Sequence, residues 1–217
     1  MIFVACSGFP VPVSRYWNEF PAVEITETEL GIPGEGTIRR WKRESPDNYG
    51  FSLLAPQSIG QQGFQVGKES KACMSVMAKL SQELDARAVV ICAPDDFKVS
   101  RPNRAALKEF VLSLPKRFPC PLVIDAPLWK PKQVMDLVDH PKVTVAYDPL
   151  SDEPPPLNKF AYLRLPGPAG KRSRYDEVAV GRIAEHCLEL KASTVFCVFR
   201  NIDMHTNGKT LRKKLKP

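Results

Sequence analysis

Eight short apolar, β-branched runs recur along the chain, and their spacing constrains the fold more than any other feature. They fall at 2–6 (IFVAC), 22–26 (AVEIT), 49–54 (YGFSLL), 87–92 (RAVVIC), 120–124 (CPLVI), 142–146 (KVTVA), 160–164 (FAYLR) and 193–199 (STVFCVF). Between them lie stretches of helical spacing, clearest at 68–84, 101–114 and 174–190. Strands that alternate with helices build a parallel sheet through right-handed crossovers. Eight such units predict an α/β fold, a TIM-type (β/α)8 barrel. An open doubly wound sheet is the alternative, but it would carry GxGxxG after its first strand, and CSGFPVPVSRYW has no such pattern.

The punctuation agrees with this reading. Pro102 after Arg101 suits the first turn of a helix, and Pro56, Pro94, Pro127 and Pro149 each follow a strand and open a loop. The link from the sixth strand to the seventh, DPLSDEPPPLNK, has three consecutive prolines and is expected to lack a proper helix. A chain of 217 residues, 43% hydrophobic, is long enough to bury one full core, so a single domain over 1–217 is expected.

Charge and cysteine usage narrow the function classes. The net charge is +7, but the basic C-terminal helix and tail, 207–217, supply five of those charges through Lys209, Arg212, Lys213, Lys214 and Lys216. The rest of the chain is nearly balanced, so a basic helix end complementing its dipole is expected there rather than a polyanion site. Arg39, Arg40, Lys42 and Arg43 surround Trp41 in a pattern that predicts an amphipathic helix with the indole turned inward. The six cysteines form no CxxC pair and have no metal-ligand spacing, which fits free thiols acting as small hydrophobes. Met1 leads straight into an apolar strand without a basic region or cleavage site, and no stretch reaches the roughly 20 apolar residues of a membrane span. A cytoplasmic protein with no membrane partner is expected.

Barrel geometry turns the strand pattern into a candidate site, because ligands bind at the C-terminal ends of the strands. Polar residues at or just past those ends are Ser7, Glu24, Asp95, Asp125, Asp148, Arg164, Arg200, Asn201 and Asp203. Glu24 alternates with Val23 and Ile25, which points its carboxylate into the barrel. A buried carboxylate needs a partner, so Glu24 is either ion-paired with Arg164 or Arg200 or a general acid or base, with Asp148 the second acid-base candidate. The segment Leu165 to Arg172, with Gly167, Lys171 and Arg172, and the segment Thr206 to Lys209, with Gly208, follow strands seven and eight. Many barrels bind phosphate at those loops, so an anionic ligand is expected there, contacting Ser7, Asp125, Arg164, Arg200 and Asn201 as well. An ordinary exposed loop with a helix cap is the alternative. Only three histidines occur, and no cofactor is expected; Asp203 and His205 with Asp148 could hold one Mg2+ or Mn2+.

The residues also carry a resemblance. Val4-Ala5-Cys6-Ser7-Gly8-Phe9, Val23-Glu24-Ile25 with Thr26 and Thr28, Trp41, Phe51-Ser52 with Ala55-Pro56, Pro127-Leu128-Trp129, Ala161 to Leu165 with Gly167, and Val198-Phe199-Arg200-Asn201 follow one another in an order that resembles the YecE-like family, domain of unknown function 72. The resemblance implies a TIM-type barrel and no established activity. It also marks the chain as a divergent, shortened member. Where that family tends to carry Lys, Gln, a Glu-Arg-His set, His and Asn-Asn, this chain has Leu54, Cys92, Val123 with Asp125 and Ala126, Pro166, and Arg200-Asn201, while Glu24, Arg164 and Asn201 remain.

Whether the chain is an enzyme stays open at this point, as does its oligomeric state. One expectation is a barrel that binds a phosphorylated or otherwise anionic small molecule, with acid-base chemistry by Glu24. A second is a nucleic-acid-binding or nuclease-like barrel, which needs the tail, residues 39–43 and the strand-seven loop to form one groove. A third is a non-catalytic scaffold with a decayed site.

Overall fold

A computed structural model describes residues 1–138, 140–156 and 159–216. The strands are β1 (Ile2–Ser7), β2 (Ala22–Ile25), β3 (Gly50–Leu54), β4 (Ala88–Cys92), β5 (Leu122–Asp125), β6 (Val143–Tyr147), β7 (Phe160–Leu165) and β8 (Thr194–Phe199). The helices are α1 (Val13–Glu19), α2 (Glu27–Leu30), α3 (Glu35–Glu44), α4 (Ser58–Gln61), α5 (Lys68–Leu84), α6 (Arg101–Ser113), α7 (Pro131–Met135), α8 (Glu177–Glu189) and α9 (Met204–Lys214). All neighbouring strands pair in parallel, and β8 returns to β1 to close the barrel in chain order. The expected single-domain (β/α)8 barrel is what the chain forms.

Local chemistry explains where the main helices start and which face they bury. Ser100 caps α6 by accepting from the Asn103 N–H at 3.2 Å, with Pro102 in the first turn. Asp176 caps α8 through the Ala179 N–H at 2.7 Å. Each such cap satisfies an orphan helix donor and contributes about 1 kcal/mol. Met74, Met77, Leu80 and Leu84 recur at helical spacing and form the buried side of α5. In α3, Ile38 and Trp41 are buried while Arg39, Arg40, Lys42 and Arg43 stay outside. No helix forms between β6 and β7 among the described residues; Leu157 and Asn158 of that link lie outside them.

The pleat divides the core into two layers. One lies between strands and helices; the other fills the barrel with Phe3, Ala22, Ala88, Val90, Phe160, Tyr162 and Phe196 among others. Large rings and alanines together fill the lumen. The register puts Ser7 beside Glu24, Glu24 beside Ser52, and Cys92 beside Asp125, all on the inner face. Toward the C-terminal ends, the apolar filling therefore gives way to polar side chains. The six cysteines are free, and burial pushes the Cys6 thiol up to about 12 and that of Cys92 to about 11. Among the described residues, no helix is long and apolar enough to cross a membrane.

Candidate functional site

Six strands deliver one ion-pair and hydrogen-bond network to the end of the lumen. Arg164 on β7 donates to both oxygens of Glu24 on β2, Nε to Oε2 and Nη2 to Oε1, each at 3.0 Å. Ser7 from β1 donates to Oε1 at 2.6 Å, and the Tyr162 hydroxyl donates to Oε2 at 3.0 Å. Ser52 on β3 hydrogen-bonds that hydroxyl at 2.8 Å. The other end of the guanidinium, Nη1, donates to Asp125 on β5 and meets the Cys92 sulfur at 3.0 Å.

Glu24 is fully buried, and its two oxygens already receive four donors. Burial works to raise its carboxyl pKa, but the charges of Arg164 and Arg200 and the hydrogen bonds from Arg164 and Ser7 outweigh it and hold the group below its ordinary value. An ionised carboxylate with no open acceptor position has nothing to offer a substrate. Of the two roles expected for Glu24, the geometry supports the ion pair with Arg164.

Arg200 occupies the mouth side of this network. Its Nη1 lies 3.6 Å from Asp125 Oδ2, and its side chain keeps 19% exposure against 2% for Arg164. Two lobes open there. A cleft of about 650 Å³ is lined by Arg200, Lys171, Gln57, Gln61, Glu29 and Asp95 among others. A smaller lobe of about 160 Å³ reaches Arg164, Asp148, Asp152 and Trp129, and it shares Asp125 and Arg200 with the cleft. Asp148 is only partly buried: its Oδ1 accepts from the Leu150 N–H at 2.9 Å, and among the described residues its Oδ2 has only a long 3.5 Å contact from the Tyr175 hydroxyl. Burial raises its carboxyl pKa, against the Leu150 hydrogen bond and with the Asp152 charge adding to the rise.

The glycine loop after β7 differs from a phosphate cradle. Gly167 sits at φ +101°, where a Cβ would come within 2.5 Å of the Gly170 carbonyl oxygen, so only glycine fits the turn. Its N–H donates to the Tyr175 hydroxyl at 2.8 Å, and the N–H groups of Ala169 and Gly170 donate to Ser173 Oγ and Gly167 O. These three amides are consumed inside the loop, and Pro166, Gly170 and Lys171 line the cleft. Asn201 braces the same loop, donating to Ser173 O at 3.3 Å and to Asn207 Oδ1 at 2.8 Å, while its own buried Oδ1 has no partner among the described residues.

Other expected residues fall elsewhere. Arg172 is exposed and lines neither lobe. The last helix starts at Met204, earlier than expected, which moves Gly208 and Lys209 into its second turn. A Cβ on Gly208 would lie 2.6 Å from the Phe20 ring, and Lys209 Nζ meets Glu19 Oε1 at 3.2 Å, so both serve the packing of α9 against α1. Asp203 pairs with Arg174 at 3.2 Å and His205 with Glu19 at 2.5 Å. Among the described residues, no three His, Cys, Asp or Glu side chains converge as metal ligands would.

The basic segments do not form one groove with the β7 loop. Arg212 and Lys216 line a depression with Met1, Ile2 and Pro21, beside the start of β1 and the entry to β2. Residues 39–43 lie on the flank, where Lys42 Nζ donates to the Glu83 carbonyl at 2.7 Å. Sequence reasoning missed Tyr162, Ser52, Gln57 and Gln61. Period-two alternation with Arg164 marks Tyr162 as inward-facing; no pattern marks the two glutamines.

A family model described as a protein of unknown function, DUF72, matches residues 12–216. Among solved structures, a DUF72 family protein from Enterococcus faecalis V583 is 22% identical with a TM-score of 0.77, over 99% of this chain and 97% of that one. One from Thermotoga maritima MSB8 is 19% identical with a TM-score of 0.77, over the full length of both. A family 2 AP endonuclease from Brucella melitensis is 11% identical with a TM-score of 0.57, over 95% of each chain. At these identities the structural likeness shows the fold alone. No curated protein matches the sequence.

Proposed function

The chain belongs to the DUF72 family, whose function is unknown, and from the geometry of its mouth we propose that it binds a small anionic ligand at the C-terminal face of the barrel. The observation that carries this reading is the state of Arg200. Arg164 is spent on Glu24 and Asp125, but among the described residues the side chain of Arg200 has only the 3.6 Å contact to Asp125, and it lines both lobes. A guanidinium held in place from below, with donors left over toward a cleft, suits a carboxylate or phosphate. Lys171 stands on the rim of the same cleft without a hydrogen bond or ion pair among the described residues.

Glu24 serves this site by holding Arg164, and Asp148 is the group with room to move a proton. Its raised carboxyl pKa, part exposure and long Tyr175 contact suit a general acid facing a ligand held by Arg200.

Calorimetric titration with inorganic phosphate and with pyrophosphate tests the reading. Each good charge-assisted contact is worth about 1.5–3 kcal/mol. Arg200→Ala is therefore expected to weaken binding by roughly 10- to 100-fold, with a smaller loss for Lys171→Ala. No binding by the intact protein, or undiminished binding by Arg200→Ala, overturns it.

A further inference from the structure

The cleft is not uniformly basic, and the division of its lining says something about the ligand beyond its charge. Lys171 and Arg200 stand on the side built by the ends of β7 and β8. The opposite side comes from the segments after β2, β3 and β4 and presents Glu29, Gln57, Gln61 and Asp95. None of these four side chains makes a hydrogen bond or ion pair with another described residue. Gln57 and Gln61 use only their backbone, the Gln57 N–H to Glu29 O at 3.0 Å and the Gln61 N–H to Gln57 O at 2.9 Å.

The second side is also held in place. Gly60 lies so close to the end of β4 that a Cβ would come within 2.2 Å of the Cys92 carbonyl oxygen. Phe64, fully buried at φ +61°, continues the anchor by packing on Phe97 and Phe110 at centroid distances of 5.0 and 5.4 Å. A bulky residue at positive φ costs about 1–3 kcal/mol, so it persists only where packing over-determines it. The four-residue helix α4, with Gln57 immediately before it and Gln61 at its end, is therefore a fixed shelf.

Two amides that can each donate and accept, flanked by two carboxylates that only accept, match groups that donate and accept at close spacing. Vicinal hydroxyls have that character; a second phosphate would meet Glu29 and Asp95 as like charges. We propose that the ligand is a hydroxyl-rich anion, a phosphorylated sugar, with its phosphate at Arg200 and Lys171 and its hydroxyls on the Gln57–Gln61 side. This rests on the anion-binding reading above and names the class of ligand for that site.

The test compares a panel of sugar phosphates, glyceraldehyde 3-phosphate, ribose 5-phosphate and glucose 6-phosphate, with inorganic phosphate and with glycine and glutamate as amine-bearing anions. Calorimetry on the intact protein is expected to show at least one sugar phosphate binding about tenfold more tightly than phosphate, the worth of one or two net hydrogen bonds. Replacing Gln57 and Gln61 together by Ala should erase that advantage and leave phosphate affinity unchanged. Circular dichroism checks that this variant keeps its fold. If phosphate binds but no sugar phosphate exceeds it, or if the amino acids bind best, the hydroxyl assignment falls while anion binding stands. If neither phosphate nor any panel member binds, both fall together.

Discussion

The inner network around Glu24 and the rim around Arg200 sit on the same strand ends yet are built in opposite ways. In the network, every oxygen of Glu24 has its donors, and Arg164 is fully engaged on both sides. On the rim, among the described residues, Arg200 has one long contact, Lys171 has none, and the side-chain amides of Gln57 and Gln61 have no partner. A saturated buried cluster has nothing left to give a ligand, whereas an unsaturated exposed one adds little to folding. The difference teaches that charge at a barrel mouth is not in itself a site. What matters is which of its hydrogen-bonding positions remain open.

Removing one partner from the saturated side should cost the most. Glu24→Leu leaves Arg164 buried with only Asp125 against it, and breaking such a pair costs about 3–5 kcal/mol. For a chain of this size that is a fall in Tm of roughly 10 °C in a thermal melt. Next in size is Gly60→Ala. The added Cβ collides with the Cys92 carbonyl oxygen, a backbone atom that cannot swing aside, and forcing such contacts costs about 1–3 kcal/mol. Since α4 must shift to relieve it, ligand affinity should drop as well, which calorimetry would register.

Arg200→Ala sharpens the comparison from the other side. Stability should change far less than in Glu24→Leu in a denaturant titration, because Arg200 is only half-buried and its contact to Asp125 is a long 3.6 Å, while anion binding suffers. If this variant unfolded as readily as Glu24→Leu, the rim would belong to the same structural cluster as the network.

The sequence made most of the fold legible because a barrel repeats one local rule eight times. Every strand begins and ends within two residues of its expected position, and α5 spans the expected 68–84. The alternation around Glu24 correctly turned its carboxylate inward, but alternation gives direction and not hydrogen-bond count. That Ser7, Tyr162 and both ends of one arginine converge on it depends on pairing among strands distant in sequence. Gly208 and Lys209 are expected in an anion-binding loop that opens the last helix because they follow strand eight, yet here the pair continues a helix in which glycine makes room for the Phe20 ring. Gln57 and Gln61 went unnoticed since a single helical turn carries no periodicity. The glycine loop after β7 looks like a phosphate cradle by composition, and only the geometry shows three of its amides, those of Gly167, Ala169 and Gly170, turned onto their own loop.

The smallest expected effect is on pH dependence, and it separates the two regions by sign. Glu24 has a folded pKa below its unfolded one, so the stability it contributes is present above the ordinary carboxylate range and lost as pH falls through the lowered value. Asp148 is the reverse. Its folded pKa is raised by burial, so the stability from its bound proton is present below the ordinary aspartate value and fades as pH rises through the raised one. Thermal melts from pH 3 to 8 on the intact protein, Glu24→Gln and Asp148→Asn should therefore diverge in opposite directions. Glu24→Gln should flatten the acid limb, since the group that must be protonated there is gone. Asp148→Asn should leave the acid limb unchanged and gain slightly on the intact protein above the raised value, because a neutral amide avoids the burial cost of the charge. If Asp148→Asn instead lost stability at neutral pH, its carboxylate would be a structural anchor like Glu24 and not the group that exchanges a proton at the mouth.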